Sequence, residues 1–435
     1  MGNKINANPT KEFFISMLTR DIDVKAAILE LIDNSIDGAK RIRKNSDFSG
    51  LYIDIQFDSD KFIIEDNCGG MSVDIAQNYA FRFGRAKNRP HEEGNFTGIF
   101  GIGMKRALFR LGKKFTIESK TINDNFSMAV DVDEWIKDDS QDWSFDFSDV
   151  ELKAENPVEK TGTKIVVSNL HEGIKQDFQL IPFHNSLINY LARYKTLIAS
   201  SNLKISVNKT ELKTYEEELI KSDMVTPYVH VAEVDGVKIK ILAGLAPKGM
   251  PANAGWYIYC NGRTVIYADK TELTGWGNNG IRSYHPSLAC FRGYVFFESK
   301  DLDKLPWNTS KTGVDTSAKV FINAKCYMDE ATKTIISIYS DCTSNMENVE
   351  ELDNTILDKN KVIQLNYVNL QSLLSKNQVF EIKQDLKPRI EYTNITFKVE
   401  KDKADRTKKI LKAASNKELG ERLFKYYWDR EVGDD

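Results

Sequence analysis

Glycine placement is the tightest constraint on this chain. Between residues 28 and 170 three glycine-bearing turns interrupt a regular series of apolar patterns. A helix-patterned run, ILELIDNSIDGA (28–39), precedes two strand-patterned runs, LYIDIQF (51–57) and KFIIED (61–66), and the second run stops at Cys68-Gly69-Gly70. Gly98, Gly101 and Gly103 then open a short helical pattern, and TGT (161–163) opens another strand. Glycines where a loop enters a helix leave backbone N–H groups and the helix N-terminus free to face phosphate.

The pattern around these turns is regular. Ile28, Leu31, Ile32 and Ala39 recur at helical spacing over 21–43, with Asp21 or Asp23 as the cap. The two strands at 51–57 and 61–66 read as a hairpin. Residues 73–83 read as a helix, 82–98 as a charged loop, 114–120 as a strand and 121–160 as an antiparallel ribbon. After the strand at 161–170, residues 176–200 read as helical and end the first domain near 200. The second part opens with a strand at 203–208 and continues with strands at 238–246, 255–266 and 293–299. A long helix follows at 317–342, and 346–435 reads as mostly helical.

Each segment suits a specific chemistry. Glu30 and Asn34 are four apart, so both leave one face of a helix. A carboxylate can deprotonate water there, and an amide oxygen is a hard ligand for Mg²⁺. Ile28, Ile32, Ser35 and Ala39 fall on the opposite side. Asp66, at a strand end before a glycine pair, suits an exocyclic amine such as that of adenine. Lys105 adds charge beside the second glycine cluster. That cluster lacks the preceding strand of a dinucleotide fingerprint and the GKS/GKT of a Walker A loop. Each segment alone also fits an ordinary solvated helix face or strand end.

The four segments in order, ExxxN, then strand-D-x-x-G-G, then GxxGxG, then G-T-strand, resemble the GHKL ATPase superfamily: DNA gyrase, ninety-kilodalton heat-shock chaperones, histidine kinases, MutL and MORC proteins. The resemblance covers residues 20–170. It implies an α+β fold with a Bergerat-type α/β sandwich, helices on one face of a mixed sheet and ATP between the layers. It implies Glu30 as general base and Asn34 as Mg²⁺ ligand. Asp66 would read adenine, with Gly70, Met71 and Thr163 beside the base. Gly98, Ile99, Phe100, Gly101, Ile102, Gly103, Met104 and Lys105 would form the phosphate cradle, and 72–97 the lid. One departure is Cys68, where the family's D-x-G-x-G has its first glycine.

The second part sharpens the resemblance. GWYIYCNGRTVI (255–266) is similar to the transducer segment of MutL-like ATPases, and Lys311 in LPWNTSKTGVD (305–315) matches the transducer lysine that reaches the γ-phosphate. The glycine box most resembles the MORC version. The expected organisation is an ATP-binding domain (1–200), a transducer-like domain (201–345) and a mostly helical region (346–435). The expected behaviour is slow, Mg²⁺-dependent ATP hydrolysis by an ATP-dependent homodimer, MORC- or MutL-like in DNA-associated or defence processes, with chaperone-like remodelling or the gating of a separate effector protein as the alternatives and DNA or a protein effector as the partner.

Composition limits the partners. Sixty Lys+Arg against 63 Asp+Glu excludes a globally basic nucleic-acid coat. No run approaches the ~18 apolar residues of a membrane span, and the polar start MGNKINANPT has no signal-peptide core. Five cysteines without a CxxC pair fit a reducing, cytoplasmic setting. Ten Lys/Arg face five Asp/Glu between Lys398 and Lys425, which reads as a solvated face or a phosphate-contact surface. The aromatics of GERLFKYYWD (420–429) suit docking or dimerisation.

Overall fold

The computed structural model describes residues 9–43, 47–82, 103–138, 142–194, 202–213, 218–308, 311–344, 362–364, 373–374, 376–383, 393 and 395–432. The elements run α1 (Lys11–Arg20), α2 (Val24–Ile42), β1 (Tyr52–Phe57), β2 (Lys61–Asp66), α3 (Val73–Ile75), α4 (Gly103–Leu111), β3 (Gly112–Lys120), β4 (Asp124–Asp131), α5 (Val132–Lys137), β5 (Phe147–Leu152), β6 (Gly162–Leu170), α6 (Glu172–Gln179) and α7 (Ile181–Tyr194). There follow β7 (Lys204–Val207), β8 (Thr210–Glu211), β9 (Glu218–Ile220), β10 (Val225–Thr226), β11 (Tyr228–Val234), β12 (Val237–Leu245), β13 (Gly255–Cys260), β14 (Arg263–Asp269), β15 (Phe291–Glu298), α8 (Lys319–Ser344), β16 (Val362–Gln364), β17 (Glu381–Ile382), α9 (Lys401–Leu411) and α10 (Asn416–Tyr427).

Residues 1–384 form one compact unit built on two main sheets. The first is an eight-stranded mixed sheet in the order β5-β4-β3-β6-β2-β1-β7-β8. Its pairs are antiparallel except β1–β7, which is parallel. Strand β2 alternates exposed and buried, with Phe62, Ile64 and Asp66 inward, so the pleat carries Asp66 to the core face. Helix α2 packs against α4 and α7. Asp23 caps α2 by accepting from the Lys25 amide at 3.0 Å. Ile28, Leu31, Ile32 and Ala39 are all in the core. The result is the expected helix-on-mixed-sheet sandwich.

The second sheet runs β11-β12-β15-β13-β14. It is antiparallel except β13–β15, and α8 packs on β11 and β12. Its own core includes the fully buried Trp256, Ile258, Phe297 and Met328.

Several local expectations change. The strand expected to open the second part, β7, instead pairs parallel with β1 of the first sheet; its apolar Ile205 and Val207 fit the first core. The helix expected at 73–83 is a short turn, 73–75, continued by a π-helical turn, Ala76–Ala80. The helical run before 200 is broken into α6 and α7 at Leu180, just ahead of Pro182. The strand run 255–266 is a hairpin turning at Asn261–Gly262, whose φ values of 48° and 83° are those an Asn-Gly turn supplies. In the stretch read as mostly helical, β16 pairs with β9 and β17 with β10.

Residues 385–435 form the second compact unit. Helices α9 and α10 carry ion pairs at i,i+3 and i,i+4, among them Lys408–Asp405 at 3.1 Å and Arg422–Glu418 at 2.6 Å. These acids neutralise part of the basic excess, as on a solvated helix face. Phe424, Tyr426, Tyr427 and Trp428 are exposed. Among the described residues no helix is long and apolar enough to cross a membrane.

Candidate nucleotide site and its ionic cluster

Glu30 lies one and a half turns into α2 and is buried. Its two oxygens go to two different cations. Arg263 Nη1 donates to Oε1 at 3.0 Å, and Lys311 Nζ donates to Oε2 at 3.0 Å. Arg263 Nη1 also donates to Oδ2 of Asp33, which sits beside Glu30 on α2. Both cations come from the second sheet's part of the unit, so side chains from both halves meet at α2.

The local backbone explains how each cation arrives. Arg263 is the first residue of β14, directly after the Asn261–Gly262 turn. Asn261 anchors that turn by donating to the Ser299 carbonyl at 2.9 Å and accepting from the Ser299 amide at 3.0 Å. Lys311 sits in a tight loop closed by the Trp307–Val314 bridge. The Asn308 amide donates to the Gly313 carbonyl and the Lys311 amide to the Asn308 carbonyl, both at 2.9 Å. Lys311 has φ 53°, a left-handed backbone that is costly for a residue with a Cβ and that clusters at functional positions.

Electrostatics follow from the packing. Burial alone would raise the Glu30 carboxyl, but Lys311 and Arg263 outweigh it and hold Glu30 below the usual glutamate range. Burial lowers both Lys311 and Arg263 from their ordinary values, and Glu30 partly offsets this for each. The two acids and two bases form one mutually neutralised cluster.

Gly103 starts α4 against this cluster. A Cβ there would overlap the Glu30 carboxylate, so a glycine is what lets this helix N-terminus approach the carboxylate. Residues 98–102, which hold Gly98, Ile99, Phe100, Gly101 and Ile102, lie outside the described residues, as do residues 83–97 of the expected lid. Met104 is half-buried and packs on the first core. Lys105 is buried, and its Nζ donates to the carbonyls of Ala80 and Arg82 at 2.8 and 2.6 Å. It therefore holds the chain at residues 80–82, just after the π-helical turn. Desolvation lowers its ammonium to about 7.

Asp66 forms the second cluster. Its Oδ2 accepts from Ser35 Oγ at 2.6 Å, and its Oδ1 accepts from the amides of Cys68 at 2.8 Å and Thr163 at 3.3 Å. Burial outweighs these bonds and raises its carboxyl. Ser35, on the side of α2 opposite Glu30 and Asn34, is the hydroxyl that orients Asp66. Thr163 lies opposite Asp66 in the β2–β6 register. Its Oγ1 is 3.2 Å from Ser119 Oγ, which also accepts the Met71 amide at 2.7 Å. Ser119 thus joins Met71 to Thr163, a link no motif signalled.

The glycine pair behaves as its spacing implies. Gly69 and Gly70 have φ 90° and 69°, whereas Cys68 does not, so a side chain is tolerated at 68. Cys68 is buried, and Gly38 on α2 gives it room, because a Cβ at 38 would overlap the Cys68 carbonyl. Asn34 is the exposed residue in the middle of an otherwise buried stretch of α2. Glu30 and Asn34 therefore share a helix face but differ in environment.

Sequence reasoning missed Arg263 and Asp33. The signal for Arg263 was present, since an Asn-Gly turn fixes the side chain that follows it. Asp33 had none, because its role depends on a partner 230 residues away.

Among the described residues no group of three His, Cys, Asp or Glu is placed to hold a metal alone. A single exposed amide such as Asn34 fits a cation held mainly by phosphate oxygens and water.

A family profile described as "Histidine kinase-, DNA gyrase B-, and HSP90-like ATPase" matches residues 22–163. No curated protein matches the chain significantly. The profile spans α2, β2 with Asp66, α4 and the start of β6, and it supports a GHKL-type ATPase domain, with its ATP-binding chemistry, in this part of the chain.

Proposed function

We propose that the chain is a Mg²⁺-dependent ATPase that works as an ATP-gated, dimerising conformational switch. The observation that carries this reading is the Lys311–Glu30 contact at 3.0 Å. It joins a strained loop of the second half to a buried carboxylate on the helix where the family resemblance places the general base.

The chain's residues divide the work as follows. Asp66, held by Ser35 and two backbone amides, accepts the exocyclic amine of adenine. Gly70, Met71 and Thr163 border the base. The glycine-bearing loop and the N-terminus of α4 receive the phosphates. Asn34 would hold Mg²⁺, which supplies charge neutralisation at the phosphate oxygens. Glu30 takes a proton from the water that attacks the γ-phosphorus, giving ADP and phosphate. Lys311 stabilises the charge spread over the transferred phosphoryl oxygens.

The switch arises because Lys311 has two alternative partners. Without substrate it pairs with Glu30, and with substrate the γ-phosphate competes for it. The loop that carries Lys311 lies between β15 and α8 and packs on the second core through Leu305 and Trp307, so the exchange couples nucleotide state to that half. The Asn-Gly-Arg turn and the lysine loop favour a MutL- or MORC-like arrangement over a sensor kinase.

Sedimentation velocity of wild type and Glu30→Ala, with Mg²⁺ and with or without ATP, tests the switch. Dimer formation only with ATP, prolonged in Glu30→Ala, is expected. An unchanged mass with ATP bound contradicts the dimerising switch and favours nucleotide action within a fixed assembly.

A further inference from the structure

We propose that Arg263 is a positioning residue for hydrolysis, holding the Glu30 carboxylate in place when Lys311 leaves it for the phosphoryl group. The proposal rests on the reading of Glu30 as general base and Lys311 as γ-phosphate contact.

The lone pairs require such a residue. In the arrangement seen here both oxygens of Glu30 are occupied, Oε1 by Arg263 and Oε2 by Lys311. A carboxylate whose oxygens are both bonded to cations is poorly placed to accept a proton from water. One contact must open before hydrolysis. The other must stay, because a base that swings freely loses the in-line geometry on which its effect depends.

The two cations are built differently, and this decides which one moves. Arg263 starts a strand, follows a turn pinned at both ends of the Asn261 side chain to Ser299, and has a second anchor in Asp33. Its Nη1 alone donates to both carboxylates, Glu30 Oε1 and Asp33 Oδ2. Lys311 rides a short loop in a left-handed backbone conformation. A shift of that loop can relieve strain, whereas a shift of Arg263 breaks two ion pairs and the strand register.

A second observation marks Arg263 as more than packing. Its side chain is 2% exposed, yet Nε and Nη2 have no hydrogen-bond partner among the described residues. Buried donors left unmade are costly, and a well-packed apolar side chain would avoid that cost. Among the described residues, its side-chain hydrogen bonds go to the two carboxylates of α2.

The test compares Arg263→Met, Arg263→Lys, Asp33→Asn and Glu30→Gln in the full chain. ATP affinity is measured by equilibrium binding, kcat at saturating Mg-ATP, and folding by thermal melting. Arg263→Met is expected to lower kcat about a hundredfold while changing ATP affinity less than about threefold, the pattern of a misplaced base rather than a lost binding contact. Arg263→Lys should recover about tenfold of that loss, because it restores the charge on a shorter side chain without the rigid planar head.

A wild-type kcat in Arg263→Met overturns the proposal. So does a loss carried wholly by ATP affinity, or an Arg263→Lys variant no better than Met. Should Arg263→Met fail to melt cooperatively, Asp33→Asn decides: kcat lowered about tenfold at unchanged affinity is expected, and an unchanged kcat overturns. Glu30→Gln separates the two levels. If it is inactive while Arg263→Met is fully active, only the positioning role fails. If Glu30→Gln keeps full turnover, the base reading itself has failed and the positioning role falls with it.

Discussion

Lys311 Nζ lies 3.0 Å from Glu30 Oε2, across 281 residues of sequence. The contact brings a strained loop of the second half onto the helix that opens the first sheet's sandwich. It makes the carboxylate and the lysine parts of one device.

Replacing Lys311 by Met removes the charge expected at the transferred phosphoryl group. Turnover should fall by about 2–4 kcal/mol of transition-state stabilisation, in the range for loss of one preorganised electrostatic contact. ATP binding should survive, since the contacts proposed for adenine and the first phosphates lie elsewhere on the chain. Steady-state kinetics beside equilibrium binding checks this, and equal losses in both would make Lys311 a binding residue only.

Gly103→Ala places a methyl against the Glu30 carboxylate. The carboxylate or α4 must shift, at a cost of about 1–3 kcal/mol for overpacking a tight site. Hydrolysis should fall more than stability would account for. Denaturant unfolding and turnover, measured on the same sample, separate the two effects.

Asp66→Asn keeps the size of the side chain but replaces one of its acceptor oxygens with a donor. Ser35 Oγ and the amides of Cys68 and Thr163 all donate to the native carboxylate; with Oδ1 kept as the amides' acceptor, the new amide nitrogen faces Ser35, whose hydroxyl must turn to accept, and the charge is lost. A hydrogen bond to a charged group contributes about 1.5–3 kcal/mol, and adenine recognition should weaken by a similar amount. Calorimetric titration with ATP measures it, and unchanged affinity would remove Asp66 from the base-reading role.

Much of this arrangement was legible before any coordinates. The pleat of β2 and the stop at Gly69–Gly70 placed Asp66, because period-two alternation and positive-φ glycines are local properties. The same holds for α2, whose apolar spacing and Asp23 cap define it. Lys311 was reached through the resemblance of its segment to a transducer loop, with turn formers around it. Arg263 and Asp33 were not found, because an ion pair between distant segments leaves no local pattern. Ser35 was given no role for a related reason: a hydroxyl on a helix face carries no signal until its carboxylate partner is known. The placement of β7 beside β1 was equally invisible, since parallel partners need no adjacent turn.

Lys105 gives a pH signature. Desolvation lowers its ammonium to about 7 in the folded chain, below the ordinary lysine value that applies when unfolded. The unfolded chain therefore holds the extra proton between these values, and stability rises with pH across that window. The gain is complete above the ordinary lysine range and is lost as pH falls through about 7. Melting temperatures of wild type should rise between pH 6.5 and 9 relative to those of Lys105→Met, a window around the shifted value (about 7). Parallel curves would show that Lys105 is not desolvated in solution.

The most direct test of the account is ATP hydrolysis by Glu30→Gln under saturating Mg-ATP, with ATP binding measured on the same preparation. The account predicts retained affinity and turnover reduced by about a hundredfold or more, the scale of a lost general base. Turnover at the wild-type rate with intact binding would contradict it.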